Sequence, residues 1–290
     1  MFLETTLLFK TMLILCSQLS IILGVCFYCI REARKAYENN TSFAGIYFRG
    51  SMNMNKQLDL VPYTPSPEYY PSEMFKQVPS ESDATKSDTI TVMAMNKDQR
   101  KELIKDGYID KQNGRFLGVW FILWFISLFL CTVFASSGIS TQTGIIFFTL
   151  SSITFGPLLA LIMLEMDEND GLNALKIVFL VTLITGFIGF SDIYSFSENR
   201  FIEEFLFISL IGLIGFEFIR SSLKFSRMAI RLKAMFGAFV FSIFLLFDFN
   251  LLRKKSDFGI NDWDTAFNIA FNIYLDIINL LLEILDAMSN

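Results

Sequence analysis

Long apolar stretches separated by short polar ones run along most of this chain, which is the pattern of helices that cross a membrane. The clearest stretch, 266–288, reads AFNIAFNIYLDIINLLLEILDAM. Its polar side chains recur at steps of three and four: Asn268, Asn272, Asp276, Asn279 and Glu283. Such steps place side chains on one face of an α-helix. The stretch is therefore predicted to be a membrane-spanning helix with one polar seam.

Six further apolar segments have a similar length, and together with the C-terminal one they predict seven transmembrane helices. The six cover approximately residues 6–30, 116–136, 143–164, 174–191, 201–219 and 234–252. The predicted fold class is an all-α membrane protein with the C-terminal helix central in the bundle. Three parts are predicted: a first transmembrane helix (1–30), an extramembrane insertion (31–115) and the six-helix remainder of the bundle (116–290).

Composition agrees with a multi-pass membrane protein. Hydrophobic residues make up 53% of the chain and charged residues only 18%, whereas soluble domains average about 25% charged residues. The net charge of −5 is small and of mixed sign, so the lipid bilayer is the expected partner and nucleic acid is not. The chain has no histidine, which removes the usual general base and zinc ligand. We expect no enzyme activity and no cofactor.

The segment 31–115 differs from the rest of the chain. It holds 13 of the 24 Lys and Arg residues and several prolines. Residues 31–38 are predicted to continue the first helix, and 96–113 to form a short amphipathic helix. The middle, VPYTPSPEYYPSEMF (61–75), is predicted to be extended or polyproline-like. An insertion of this size is also the expected contact surface for protein partners.

Two carboxylates in the apolar segments are the candidate functional residues. A carboxylate near the bilayer centre costs roughly 2.5–3.5 kcal/mol, so Asp276 needs a partner or water. Asp248, in the preceding apolar segment, is the candidate partner. Two such carboxyls would titrate as a coupled pair and, when both are ionised, offer oxygen ligands to a hard cation such as calcium. The alternative is structural, in which the aspartates pin the bundle by hydrogen bonds to Asn272, Asn279 or the backbone.

Several segments resemble the transmembrane Bax inhibitor motif family. NIYLDIINLLLEIL (272–285) is similar to the C-terminal signature of that family, and LLFDFNLL (245–252) resembles its preceding helix. TGIIFFTLSSITFGPLLALIML (143–164) resembles a central segment of the bacterial members, and LLFKTMLILCSQLSIILGV (7–25) resembles the first helix. The long insertion departs from the family pattern, because members connect their first two helices briefly.

The resemblance implies a pH-sensitive leak of calcium or another cation. In the bacterial members an aspartate pair on the last two helices forms the latch, and the matching positions are Asp248 and Asp276. Asn268, Asn272, Asn279 and Glu283 would support the pair, and Glu217 and Asp286 would extend the polar path unless these helix-end acids simply reach solvent. A basic residue linked to the latch in those members has no counterpart inside 116–136, 143–164 or 177–199.

A second hypothesis is a structural accessory subunit that keeps the fold without transport activity. The insertion and the missing counter-charge favour this reading, in which the chain belongs to a larger membrane complex, for example a respiratory one. The composition is rich in Phe, Ile, Asn and Lys, which suggests an AT-rich genome such as an organellar, protist or viral one. Together with a first span close to residue 1, this favours the mitochondrial inner membrane. An endomembrane of the ER or Golgi type is the alternative location.

Overall fold

The computed structural model describes residues 5–39, 41–52, 58–62, 72–79, 87–110, 116–137, 140–165, 168–191, 193–223 and 225–288. The helices in this part of the chain are α1 (Leu7–Glu38), α2 (Lys97–Lys105), α3 (Phe116–Ser137), α4 (Thr141–Glu165), α5 (Glu168–Phe190), α6 (Arg200–Ser222), α7 (Arg227–Asp257) and α8 (Trp263–Met288). The strands are β1 (Phe48–Met52), β2 (Leu58–Pro62), β3 (Ser72–Pro79), β4 (Ser87–Ala94) and β5 (Ile109–Asp110).

The chain is an all-α membrane protein, as its hydropathy predicts. Six of the described helices, α1, α3, α4, α5, α7 and α8, are long and apolar enough to cross a membrane. The segment 201–219 also forms a long helix, α6, but α6 is not among these six. The sequence predicted seven spans, whereas six of the described helices meet the length and composition of a span. That α6 also crosses the membrane stays a prediction.

The C-terminal helix is central in the bundle, which confirms that part of the prediction. Of its apolar stretch 72% is buried, against 11% to 44% in the other five candidate spans. It packs against α7, α5 and α4. Phe148 of α4 is fully buried and lies edge-on to the rings of Phe271 and Tyr274 in α8. Most apolar side chains of α3 are exposed instead, as expected of a helix that faces lipid.

Small residues allow close contacts between helices. A Cβ atom built on Gly189 of α5 would lie 2.7 Å from the carbonyl oxygen of Leu246 in α7. A Cβ atom on Gly156 of α4 would lie 2.6 Å from a methyl carbon of Val25 in α1. These glycines are therefore required by contact distance rather than by backbone conformation.

The chain divides into two compact units, one of Met1–Phe27 with Phe121–Asn290 and one of Tyr28–Trp120. In the second unit β1 pairs with β2, and a separate antiparallel sheet has the order β4-β3-β5. The sequence patterns did not predict these strands, because strand pairing depends on partners distant in sequence. Residues 63–71 of the predicted extended segment lie outside the described residues.

Of three predicted boundaries, one is confirmed and two need correction. The continuation of α1 through residue 38 is confirmed, but the helix predicted over 96–113 ends at Lys105 and is followed by β5. The segment 220–233, read as a loop, is mostly helical, since α6 runs to Ser222 and α7 begins at Arg227. Ser226 caps α7 by accepting a hydrogen bond from the Ala229 N–H.

Candidate functional site

The two predicted aspartates meet in the interior of the bundle. Asp248 lies on α7 and Asp276 on α8, and their carboxyl groups are in hydrogen-bonding contact. Their exposed fractions are only 7% and 8%. Each aspartate lies on the buried apolar face of its helix. Leu245 and Leu252 flank Asp248 on that face, and Ile273 and Leu280 flank Asp276. The face that packs α7 on α8 therefore carries both acids into the same place.

Two carboxyl groups in contact cannot both be ionised unless a cation lies between them. Ionised carboxylates only accept hydrogen bonds, so a bond between two of them forms only when one is protonated. The Oδ2 atom of Asp276 is buried and has no hydrogen-bond partner. Neither aspartate forms an ion pair with a Lys or Arg of the described residues. The contact thus depends on a shared proton or on a cation.

A cavity of about 370 Å³ lies beside the pair, between α6, α7 and α8. Its polar lining consists of Glu203, Asn272 and the two aspartates, and its apolar lining includes Phe207, Leu210 and Phe247. Glu203 comes from the first turn of α6, and its side chain is exposed. The cavity therefore offers carboxylates from three helices. Sequence reasoning did not single out Glu203, although it stands at the apolar boundary of α6.

The polar seam of α8 follows a different path from the predicted one. Asn268 donates a hydrogen bond to the Ala135 carbonyl of α3 at 2.9 Å, and Asn272 donates to the Asn268 side chain at 3.3 Å. Asn272 is exposed, whereas Asn268 and Asn279 are half-buried. The hydrogen bonds of Asn268 and Asn272 therefore do not pin the aspartates, and Asn272 lies in the cavity beside α6.

A second group of charged side chains joins the same three helices farther along the seam. We call this group the charge cluster; it consists of Glu217, Arg220, Lys233, Glu283 and Asp286. Lys233 Nζ lies 2.5 Å from Glu217 Oε1 and 2.7 Å from Glu283 Oε1. Arg220 donates to both oxygens of Asp286, at 2.7 and 3.1 Å. Glu283, Glu217 and Asp286 thus form ion pairs, which the interpretation as solvated helix ends did not predict.

Sequence reasoning missed Lys233, a buried basic residue that pairs with Glu217 and Glu283 rather than with the two aspartates. The segments 116–136, 143–164 and 177–199 contain no Lys or Arg, and Lys233 lies just before the predicted segment 234–252. Because α7 begins at Arg227, Lys233 is already inside the helix and its side chain is only 9% exposed. Gly237 lies one turn later and leaves room for Glu283, since a Cβ atom there would overlap the Glu283 carboxylate.

The loop between α5 and α6 is held in place by α7. Asn250 is fully buried; its side-chain oxygen accepts from the N–H and hydroxyl of Ser197, and its amide donates to the carbonyl oxygens of Gly189 and Tyr194. Lys254 forms an ion pair with Glu198 at 2.7 Å. Its hydrogen bond and charge hold the pKa of the Glu198 carboxyl below the usual value. These contacts position the first turn of α6, where Glu203 lies.

A metal ion without bound water would not find a complete set of ligands among the described side chains. Among the described residues no group of three Cys, Asp or Glu side chains is placed to hold a metal. The calcium site predicted at Asp248 and Asp276 would therefore have two carboxylates, and an ion there would need water for its remaining ligands.

Comparison with known protein families identifies the family of the chain. No curated protein matches the chain. The family described as "Inhibitor of apoptosis-promoting Bax1" matches residues 89–290, which contain α3 to α8 and both aspartates. The match leaves out α1, so the likeness of 7–25 to the first helix of the family stays a prediction. Since the matched range is more than half of the sequence and holds the whole C-terminal bundle, the chain belongs to the Bax inhibitor family.

Proposed function

We propose that this protein is a cation leak of the membrane in which it resides, gated by Asp248 and Asp276. The observation that carries the proposal is the buried contact between the two carboxyl groups at the edge of a cavity lined by further oxygen donors. Calcium is the proposed cargo, because hard divalent cations prefer carboxylate and amide oxygens.

The gate follows from the charge of the pair. With one shared proton the two carboxyls hydrogen-bond and hold α7 and α8 together. When both are ionised, two unit charges 4 Å apart repel by about 4 kcal/mol at an effective dielectric constant of 20. That repulsion either separates the helices beside the cavity or recruits a cation to the pair. The leak should therefore be small in acid and larger in alkaline buffer.

The test is calcium flux from liposomes that contain the purified protein, measured over a range of pH. We expect Asp276→Asn and Asp248→Asn to abolish the pH-dependent part of the flux, since an amide cannot ionise. Asp264→Asn is the matched control, because Asp264 lies on the exposed first turn of the same helix. A flux and a pH response that persist unchanged in Asp276→Asn would rule out the gate.

A structural role in a larger membrane complex is the second candidate. Strand β4 pairs with β3 on one side only in the described part of the chain, and it exposes Ile90 and Met93. An exposed strand edge with apolar side chains is suited to pairing with another protein. The mitochondrial inner membrane is the location proposed for such a complex, with an endomembrane as the alternative.

This second role predicts that the chain purifies from its native membrane in mild detergent with partners at fixed stoichiometry. Ile90→Lys should release those partners and leave the bundle folded. Recovery of the chain as a monomer under the same conditions would argue against the role.

A further inference from the structure

The polar seam of α8 faces two cavities in succession. Asn272 and Asp276 line the cavity of the aspartate pair, whereas Asn279, Glu283 and Asp286 line a second cavity of about 430 Å³ at the charge cluster. Both cavities lie between α6, α7 and α8, so the seam forms a common wall of the two spaces.

Helix α6 closes both cavities on the opposite side. Its lining residues run from Glu203 to Arg220, and Leu210 lines the two cavities at once. This part of α6 is about 25 Å long at 1.5 Å per residue. The hydrocarbon core of a bilayer is roughly 30 Å thick. The two cavities together therefore extend over most of a membrane, with Leu210 as the apolar separation between them.

The ammonium group of Lys233 occupies the position that a cation would take in the second cavity. It lies between carboxylate oxygens from two different helices, at 2.5 Å from Glu217 and 2.7 Å from Glu283. Its side chain reaches this position from α7 and is nine-tenths buried. The charge cluster thus already holds a cation, which is part of the chain.

The charge cluster still has capacity for a further positive charge. It contains three carboxylates and two basic groups, so its net charge is −1 when all are ionised. The second carboxylate oxygen of Glu283 is buried and has no hydrogen-bond partner. Because no three acids of the described residues converge on one point, the ion that fits is a hydrated one, which reaches the carboxylates partly through water.

We propose that the charge cluster is a second cation site on the leak path, and that Lys233 fills it as a tethered cation that blocks passage. The inference rests on the proposed cation leak. A lysine suits this task because its charge is compact and its four-carbon stem is flexible. A hydrated divalent cation competes with the ammonium for Glu217 and Glu283, and it passes when Lys233 swings towards the nearby start of α7.

The test replaces the ammonium by an apolar group of similar shape, in Lys233→Met, and uses calcium as the probe. We expect the calcium leak from liposomes to rise about tenfold. This factor corresponds to about 1.4 kcal/mol of free energy by which the Lys233 ammonium opposes calcium at the cluster. The calcium concentration that half-maximally raises the unfolding temperature in detergent should fall by about the same factor. Lys233→Arg keeps a positive charge and should raise the leak less than Lys233→Met does.

Two further variants define the outcome. The double variant Lys233→Met with Glu283→Gln removes the site, so its calcium-dependent stabilisation should disappear. Lys176→Met removes an exposed lysine of α5 and should resemble the wild type in both assays. A wild-type leak and unchanged calcium dependence in Lys233→Met, or a lower leak in the folded variant, would overturn the proposal.

Leu210→Ala tests the same path if Lys233→Met fails to fold. Because alanine is smaller than leucine, the passage between the two cavities should widen, and the leak should rise while calcium-dependent stabilisation stays unchanged. A wild-type leak in this variant would contradict a joined path. Failure of the proposed leak is distinguishable, because it appears as unaltered flux in Asp276→Asn. The calcium-dependent stabilisation tests the charge cluster without reference to flux.

Discussion

At the scale of single residues, one acid outside the membrane-spanning helices stabilises the central helix of the bundle. Asp262 precedes α8 and accepts a hydrogen bond from the Thr265 N–H at 2.7 Å. This bond to the ionised form lowers the pKa of the Asp262 carboxyl. Asp262→Ala should reduce the free energy of unfolding by about 1 kcal/mol, the usual value of such a cap.

The sign of the pH dependence follows from the lowered pKa. The contribution of Asp262 is present above the unfolded-state pKa of about 3.9 and is lost as the pH falls through the lower folded-state value. Unfolding in detergent at neutral pH and at about pH 3 measures the difference. Asp262→Asn is the control, since asparagine also caps helices. An equal effect of Asp262→Ala at both pH values would contradict a charged cap.

At the scale of elements, the contact between α5 and α7 depends on glycine. A Cβ atom on Gly189 would lie 2.7 Å from the Leu246 carbonyl oxygen and 2.9 Å from the Phe249 Cβ atom. Gly189→Ala must therefore move one helix, and we expect it to destabilise the protein by about 1–3 kcal/mol. Since Asn250 and Asp248 lie beside Phe249 on α7, that shift should also alter the flux.

Gly212 in α6 provides the matched control for this prediction. A Cβ atom there would meet nothing within 4 Å, so Gly212→Ala should change the stability by less than about 1 kcal/mol. Thermal unfolding of both variants in the same detergent gives the comparison. If the two substitutions had the same effect, the distance between α5 and α7 would not be set by Gly189.

At the scale of the whole molecule, the leak path requires α6 to cross the membrane. This helix of 23 residues is about 35 Å long and carries exposed Phe207, Ile208 and Phe218 for contact with lipid. Glu217 and Arg220 of α6 face α7 and α8 at the charge cluster, where ion pairs lower the cost of burying them. We therefore predict that the two ends of α6 lie on opposite sides of the bilayer.

Cysteine labelling in sealed vesicles measures this arrangement. In a background without the four natural cysteines, Arg200→Cys and Leu223→Cys place a thiol at either end of α6, and both native residues are exposed. A membrane-impermeant maleimide should label the two variants from opposite faces. Labelling of both from the same face would leave six spans and remove the third wall of the leak path.

The sequence by itself determined the helices and the pair of aspartates. In lipid every backbone polar group must bond within its own segment, so apolar length alone predicts where a helix forms. The same reasoning paired Asp248 with Asp276, because a buried carboxylate needs a partner and consecutive helices are usually neighbours. The observed contact between the two carboxyls agrees with that expectation.

Only the tertiary structure decided the surroundings of that pair. The ion pairs of Lys233, the third wall supplied by α6 and the exposure of Asn272 depend on how separate helices are rotated against one another. The strands within Tyr28–Trp120 depend on partners many residues apart. Side-chain spacing encodes which residues share a face of one helix, but the neighbour of that face is chosen by packing of the whole chain.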